Sequence, residues 1–279
     1  MAEEKYLKVA LELVNQAGKL VRHAFTQPSS SITFKSSATD FVTATDKAVE
    51  ELLIGGLSAQ FPNHKFIGEE STSSEKRLEF TDQPTWIIDP IDGTTNFVHR
   101  IPLIAISVGL AINRKLQAGI IYNPITHELY TAQTGRGAFK NGFPIYASKV
   151  EAINKAVVST SCNCVGIPVA DKHIDWLEKG LSNLKKTTLA GAHGHSSLGS
   201  AAVIMGRVAE GCLDAYVEYG LRCWDMAAGV VIVREAGGFV TSPLGDEFNI
   251  LGRNVLCSGT EKLGKELSGM LTHTHFELE

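Results

Sequence analysis

The period of the hydrophobic positions changes along the chain, and each change marks an expected element. Over residues 4–25, Leu7, Ala10, Leu11, Val14, Ala17, Val21 and Ala24 recur at spacings of three and four, which predicts an amphipathic helix with one buried face. A second helix is expected after Asp46, with Val49, Leu52, Leu53 and Leu57 facing inward. Phe61-Pro62-Asn63 should stop it, because proline cannot continue the hydrogen-bond ladder. Residues 65–68 read as a short strand, followed by Glu69-Glu70-Ser71 and a polar stretch to Gln83 with the character of an exposed loop. Trp86, Ile87 and Ile88 are β-formers of a buried strand, and Pro90 and Gly93 punctuate the chain where it leaves that strand. Between residues 104 and 130, β-branched density, the turn residues Asn113-Arg114-Lys115 and the Asn123-Pro124 break predict an antiparallel meander. Asn141-Gly142 is a hairpin signal. Gly135, Gly137 and Gly142 are too widely spaced for a dinucleotide fingerprint and read as structural.

Beyond residue 150 the pattern becomes an alternation of strands and helices over 156–159, 171–184, 197–208, 213–219 and 224–236, as in α/β layers. No Pro- or Ser-rich linker separates the two patterns. The expectation is a single domain with an N-terminal α+β half, about 1–150, and a C-terminal α/β half, about 151–271. The tail 272–279 is expected to fray.

Composition narrows the partners. With 26 Lys and Arg interspersed among 30 Asp and Glu, the net charge of −4 leaves no electrostatic footprint for nucleic acid or an anionic membrane, so a small substrate is expected. Residues 1–22 lack a basic start followed by an apolar block, and no apolar run is long enough to span a bilayer, which predicts a soluble cytoplasmic protein. Five cysteines, Cys162, Cys164, Cys212, Cys223 and Cys257, lack CxxC pairing and read as reduced thiols. His193 and His195, near two glycines but without an acidic partner in sequence, read as loop histidines.

The chemistry concentrates in Trp86-Ile87-Ile88-Asp89-Pro90-Ile91-Asp92-Gly93-Thr94-Thr95-Asn96-Phe97, where an apolar strand runs into two carboxylates, a glycine and two threonines. Two close acids repel unless a cation or a shared proton compensates, and Gly93-Thr94-Thr95 offers backbone donors suited to an anion. Glu69 places a further acid at a strand's end. Oxygen ligands without histidine or cysteine favour magnesium over zinc, and the combination points to metal plus phosphate.

Gly68-Glu69-Glu70-Ser71, the run from Trp86 to Phe97, and Cys223-Trp224-Asp225-Met226-Ala227-Ala228-Gly229 together closely resemble the inositol monophosphatases. Asp40-Phe41-Val42-Thr43-Ala44-Thr45-Asp46 and Glu235-Ala236-Gly237-Gly238 extend the resemblance over nearly the whole chain, the tail excepted. The resemblance implies an αβαβα sandwich of the sugar-phosphatase type, and a magnesium-dependent, lithium-sensitive, homodimeric phosphomonoesterase acting on myo-inositol monophosphates. It implies two or three Mg2+ per subunit: Glu69, Asp89 and the Ile91 carbonyl on one, Asp89, Asp92 and Asp225 on a second, and Glu69 joining a third. Glu70 would support this shell from behind, Gly93 and Thr94 would receive the phosphate, and Thr94 with Asp46 would orient and deprotonate the attacking water. Gly199, Ser200 and Ala201 would face the cyclitol ring, and Glu218 would accept hydrogen bonds from its hydroxyls. One departure stands out: family members commonly carry arginine just before that segment, where this chain has Ser196 beside His195.

Two other readings set the contrast. Phosphatases of the haloacid dehalogenase type use DxDGT with the first aspartate as covalent nucleophile. Here two residues, one of them Pro90, separate the acids, and the spacing favours metal bridging. A binding protein that kept the fold and lost turnover should have lost an acid among Glu69, Asp89, Asp92 and Asp225, and all four are present.

Overall fold

Strand periodicity and one helix with small residues on its packing face set the architecture. The computed structural model describes residues 2–27, 32–34, 41–72, 78–160 and 174–279. Asp40, Cys162, Cys164 and the first residues of the helix expected over 171–184 lie outside them. In chain order the elements are α1 (Ala2–Thr26), β1 (Ile32–Phe34), β2 (Phe41–Thr43), α2 (Ala44–Gln60), β3 (Lys65–Gly68), β4 (Thr85–Asp92), α3 (Thr94–Val98), β5 (Ala105–Ile112), β6 (Lys115–Asn123), β7 (Glu128–Gln133), β8 (Ala138–Lys140) and β9 (Phe143–Pro144). They continue with β10 (Val157–Thr160), α4 (Ile174–Leu189), β11 (Gly194–Ser196), α5 (Ala201–Ala209), β12 (Ala215–Tyr219), α6 (Cys223–Glu235), β13 (Phe239–Thr241), β14 (Asn254–Ser258) and α7 (Glu261–Met270).

Seven strands form one sheet in the order β3-β4-β5-β6-β7-β8-β9, and five form another in the order β11-β10-β12-β14-β13. The expected meander is present: β5, β6 and β7 pair antiparallel. The two-residue turns joining β5 to β6 and β8 to β9 hold Asn113-Arg114 and Asn141-Gly142 at positive φ, the conformation that matches the twist of a hairpin. On one face of the large sheet, Val14, Val21, Leu53 and Leu57 of α1 and α2 pack against Trp86, Ile88, Ile106 and Ile120. On the other, Ile87, Ile121 and Ala132 pack against α5 and α6, which also cover the second sheet. A third cluster joins Val158, Val217 and Leu256 to Leu263 and Leu267 of α7. The layers are therefore αβαβα, as expected.

The structure corrects the sequence reading in several places. The tail does not fray. Asn183 brackets Thr272 with two hydrogen bonds of 2.6 and 3.0 Å, Tyr219 bonds His273, and Phe276 lies 4.6 Å from the Trp176 ring with Arg253 over it. These are specific contacts with no periodicity to announce them. After residue 236 the hydrophobic pattern singled out no element, yet β13, β14 and α7 complete the second sheet and its outer layer. His195 lies in β11, bonded to Thr188, rather than in a loop, whereas His193 is an exposed loop residue as expected, its backbone N–H donating to Ala156. The glycines at 135 and 137 are structural, as expected: they hold positive φ, and their N–H groups, with that of Arg136, donate to the Glu235 carboxylate.

α6 lies unusually close to the sheet. A methyl group at Gly109 would sit 2.6 Å from Ala227 Cβ, and one at Gly119 would sit 2.4 Å from the Ala228 carbonyl oxygen. Small residues on both sides of the contact thus bring helix backbone down onto β5 and β6. Gly119→Ala should therefore overpack a rigid contact, at a cost of about 1–3 kcal/mol. Urea unfolding should show a lower midpoint with an unchanged slope, and a midpoint equal to that of the natural protein would contradict the packing account.

Candidate active site

Three local features aim acids at one point. Along β4, Trp86 and Ile88 face α1 and α2 while Ile87 faces α6, so Asp89 follows Ile87 to the inner side. Asp92 stands three residues on and would face outward in a regular strand. The register pairs Asp89 with Ser107 and Asp92 with Ala105, so β4 carries one residue more than β5 between these pairs. This bulge shifts the alternation, leaves Ile91 in the outer cluster and returns Asp92 to the inner side. Pro90, with no N–H to give the ladder, belongs at such a bulge. The strand thus runs unbroken through Pro90 and Ile91 and ends at Asp92, with both acids near its end as expected.

α6 supplies the third acid. The Ser107 hydroxyl, opposite Asp89, donates to the Trp224 carbonyl at 3.2 Å, which sets the first turn of α6 and Asp225 beside β4. One carboxylate oxygen each from Asp89, Asp92 and Asp225 lies within 4.8 Å of the others. Glu69 adjoins them because its N–H donates to the Ile88 carbonyl at 3.1 Å and extends the β3–β4 pairing one residue past Gly68.

Each acid is held by its own donors. Asp89 accepts the Ile91 N–H at 3.0 Å, and Asp225 accepts the Arg222 N–H at 2.7 Å. Asp92 accepts the Ser200 hydroxyl and the Ala202 N–H, both at 2.6 Å, on a single oxygen. Burial pushes the Asp89 carboxyl well above the usual carboxylate range, and the charges of Glu69, Asp92, Asp225 and Asp46 push further. Asp92 is pushed up to about 6 by burial, with the Ser200 and Ala202 bonds pulling the other way. Asp225 is raised by burial and then by Asp92. Among the described residues, no other group of three or more His, Cys, Asp or Glu has its ligand atoms gathered in this way. An all-oxygen cluster whose members oppose one another's ionisation fits a hard divalent cation, which would stabilise every charged form at once.

The remaining expected residues surround this point. Asp46, in the first turn of α2, is fully buried and acts on Asp89 through its charge. Gly93 follows Asp92 at φ 91°, and a Cβ there would lie 3.1 Å from the carbonyls of Gly199 and Leu103. The Thr94 hydroxyl donates to the Ile91 carbonyl at 3.1 Å. Ser200 caps α5 by accepting the Val203 N–H while its own hydrogen goes to Asp92; Ala201 is buried beside it. Glu218, on β12, is buried, receives the Tyr216 hydroxyl and adds its charge to those raising Asp225. The backbone N–H of Glu70 donates to Glu50 at 2.8 Å.

Three contributors escaped the sequence reading. Glu50 is buried against Gly68 and anchors the Glu69-Glu70 turn; its signal was a carboxylate spaced with Leu53 and Leu57 on an apolar helix face. Asn96 donates to the carbonyls of Leu103 and Leu198, both at 2.7 Å, and ties the turn after Asp92 to the start of α5. Tyr216 orients Glu218 from two residues away, the spacing at which side chains share a strand face.

Comparison with known proteins places this geometry among relatives. A model of the inositol monophosphatase family matches residues 2–275. Inositol monophosphatase 1 of Homo sapiens is 40% identical over 268 residues, 95% of this chain and 94% of its own. The crystal structure of the extragenic suppressor protein suhB from Bartonella henselae superposes with a TM-score of 0.84 at 32% identity, covering 95% of this chain and 98% of that one. The inositol monophosphatase of Anabaena (Nostoc) sp. PCC 7120 gives 0.81 at 30% identity, covering 97% and 96%.

The electrostatics carry a pH prediction for metal-free protein. Asp92 holds its proton up to about 6 when folded, against about 4 in an unfolded chain. The stability from that extra proton is complete below the unfolded value and is lost as pH rises through the folded one. Asp92→Asn does not titrate, so in EDTA its melting temperature should gain on that of the natural protein by roughly 5 °C between pH 4 and pH 7. A difference independent of pH would contradict the assigned environment.

Proposed function

The chain belongs to the inositol monophosphatase family, and on that premise we propose that it is a magnesium-dependent phosphomonoesterase hydrolysing myo-inositol monophosphates to inositol and phosphate. The observation that carries the reading is the convergence of Asp89, Asp92 and Asp225 within 4.8 Å, with Glu69 acting on all three. Glu69, Asp89 and the Ile91 carbonyl would hold one Mg2+, Asp89, Asp92 and Asp225 a second, and Glu69 would join a third. Bound magnesium would supply an acidified water and neutralise phosphoryl oxygens.

The chain's own groups would do the rest. Gly93 and Thr94 would present backbone N–H groups to the phosphate at the start of α3. Thr94 would orient the attacking water in line with the scissile bond, and Asp46 would take its proton onto a carboxylate oxygen. Glu218 would accept hydrogen bonds from substrate hydroxyls, with Tyr216 fixing its carboxylate, while Gly199, Ser200 and Ala201 would form the wall against the ring. Glu70 would act behind Glu69. Two features support direct water attack over an aspartyl intermediate: Asp89 has Ile91 N–H on one oxygen, and four acids, Glu69, Asp92, Asp225 and Asp46, act on it through their charges. Homodimeric assembly, inhibition by lithium and residence in the cytoplasm belong to the same proposal and rest on family membership. No helix among the described residues is long and apolar enough to cross a membrane.

Purified protein with Mg2+ should release phosphate from inositol 1-phosphate faster than from sugar, histidinol or nucleotide phosphates. No release from any of them would refute the enzyme. Asp89→Asn should lower kcat by more than about a hundredfold, beyond what loss of a group supporting a ligand costs. Glu218→Gln should chiefly change the ratio of kcat/KM among the esters, and near-normal turnover by Asp89→Asn would overturn the assignment.

A further inference from the structure

Two carboxylates, not one, serve the first turn of α6. The first N–H groups of a helix have no partner within it, and those of Arg222 and Cys223 lie at its entry. Asp225 Oδ2 takes the Arg222 N–H at 2.7 Å, and Glu279 Oε2 takes the Cys223 N–H at 3.0 Å. Glu279 Oε1 also receives the Arg222 guanidinium at 3.0 Å, with its own side chain only 2% exposed. The tail delivers this acid through a chain of contacts: Thr272 on Asn183, His273 on Tyr219, Phe276 between Trp176 and Arg253, and the Glu279 N–H on the Leu251 carbonyl at 3.1 Å. The family match ends at residue 275, so Glu279 lies beyond it.

The arrangement divides the labour between the two acids. Cys223 is fully buried, and an amide there without an acceptor is costly. Asp225 stands two residues away, and Arg222 carries the cation nearest to it in sequence. Without Glu279, both the Cys223 N–H and the Arg222 guanidinium would compete for the Asp225 oxygens. We propose that Glu279 is a positioning residue for the metal centre: by occupying the Cys223 amide and the Arg222 guanidinium, it keeps Asp225 turned toward Asp89 and Asp92 with one oxygen reserved for the cation. The inference rests on the reading of Asp225 as a metal ligand.

Mn2+ titrated into metal-free protein and followed by electron paramagnetic resonance tests it without recourse to turnover. Glu279→Ala should weaken Mn2+ binding about tenfold, the range seen when a group orienting a ligand is lost. Glu279→Gln keeps an acceptor for Cys223 but releases Arg222, so it should weaken binding less, and adding Arg222→Met to it should restore binding because the competitor is gone. The apparent KM for Mg2+ should rise in step, with kcat recovering at saturating Mg2+. Natural affinity in both Glu279 variants, or no recovery in the double variant, would overturn the proposal. Should Glu279→Ala fail to fold, the Gln variant and its double decide alone. If the natural protein itself neither binds Mn2+ nor releases phosphate, the reading of the site fails with it; if it does both and the variants match it, only the role of Glu279 falls.

Discussion

Mutual repulsion among buried carboxylates is the constraint around which this molecule is arranged. Asp89, Asp92 and Asp225 have oxygens within 4.8 Å of one another, and the charges of Glu69 and Asp46 also act on Asp89. Burial alone opposes the ionisation of Asp89, Asp92 and Asp225, and neighbouring charges oppose it further. Such a cluster persists only because rigid elements hold it: a bulged strand for Asp89 and Asp92, an extended parallel pairing for Glu69, and a helix entry for Asp225. A cation converts the same repulsion into affinity, so the strain of the metal-free protein and the proposed catalysis have one origin.

The helix entry is the least local of these supports. Asp225 reaches β4 because α6 approaches β5 and β6 more closely than side chains normally permit, with Gly109 against Ala227 and Gly119 against Ala228. Gly229 meets Met205 in the same way and brings α5 alongside. α5 in turn sends the Ser200 hydroxyl and the Ala202 N–H to Asp92. Helix packing and site geometry are thus the same set of contacts, and the Ala-Ala-Gly after Asp225 belongs to the site as much as the acid does.

Much of this was legible in the sequence. The spacing of apolar residues located α1 and α2, the Asn-Gly and Asn-Arg turns located the hairpins, and the resemblance to a family gathered Glu69, Asp89, Asp92 and Asp225 although they are far apart in the chain. What escaped lies where no period exists. The bulge at Pro90-Ile91 depends on the register of β5, which a single strand does not carry. Glu50 interrupts a hydrophobic face as an exception to the pattern, and its role appears only when Gly68 is seen to leave room for it. The tail has short polar and aromatic residues without repeat, yet Phe276 and Glu279 both dock, because their partners on Trp176, Arg253 and the α6 entry come from three distant segments.

The central claim is that these acids are gathered to hold divalent cations. Crystals soaked in Mn2+, with diffraction recorded at the manganese absorption edge, test it most directly. The account predicts an anomalous peak bounded by Asp89, Asp92 and Asp225 and a second between Asp89 and Glu69. A map without a peak among these carboxylates, at Mn2+ concentrations that support phosphate release, would contradict it.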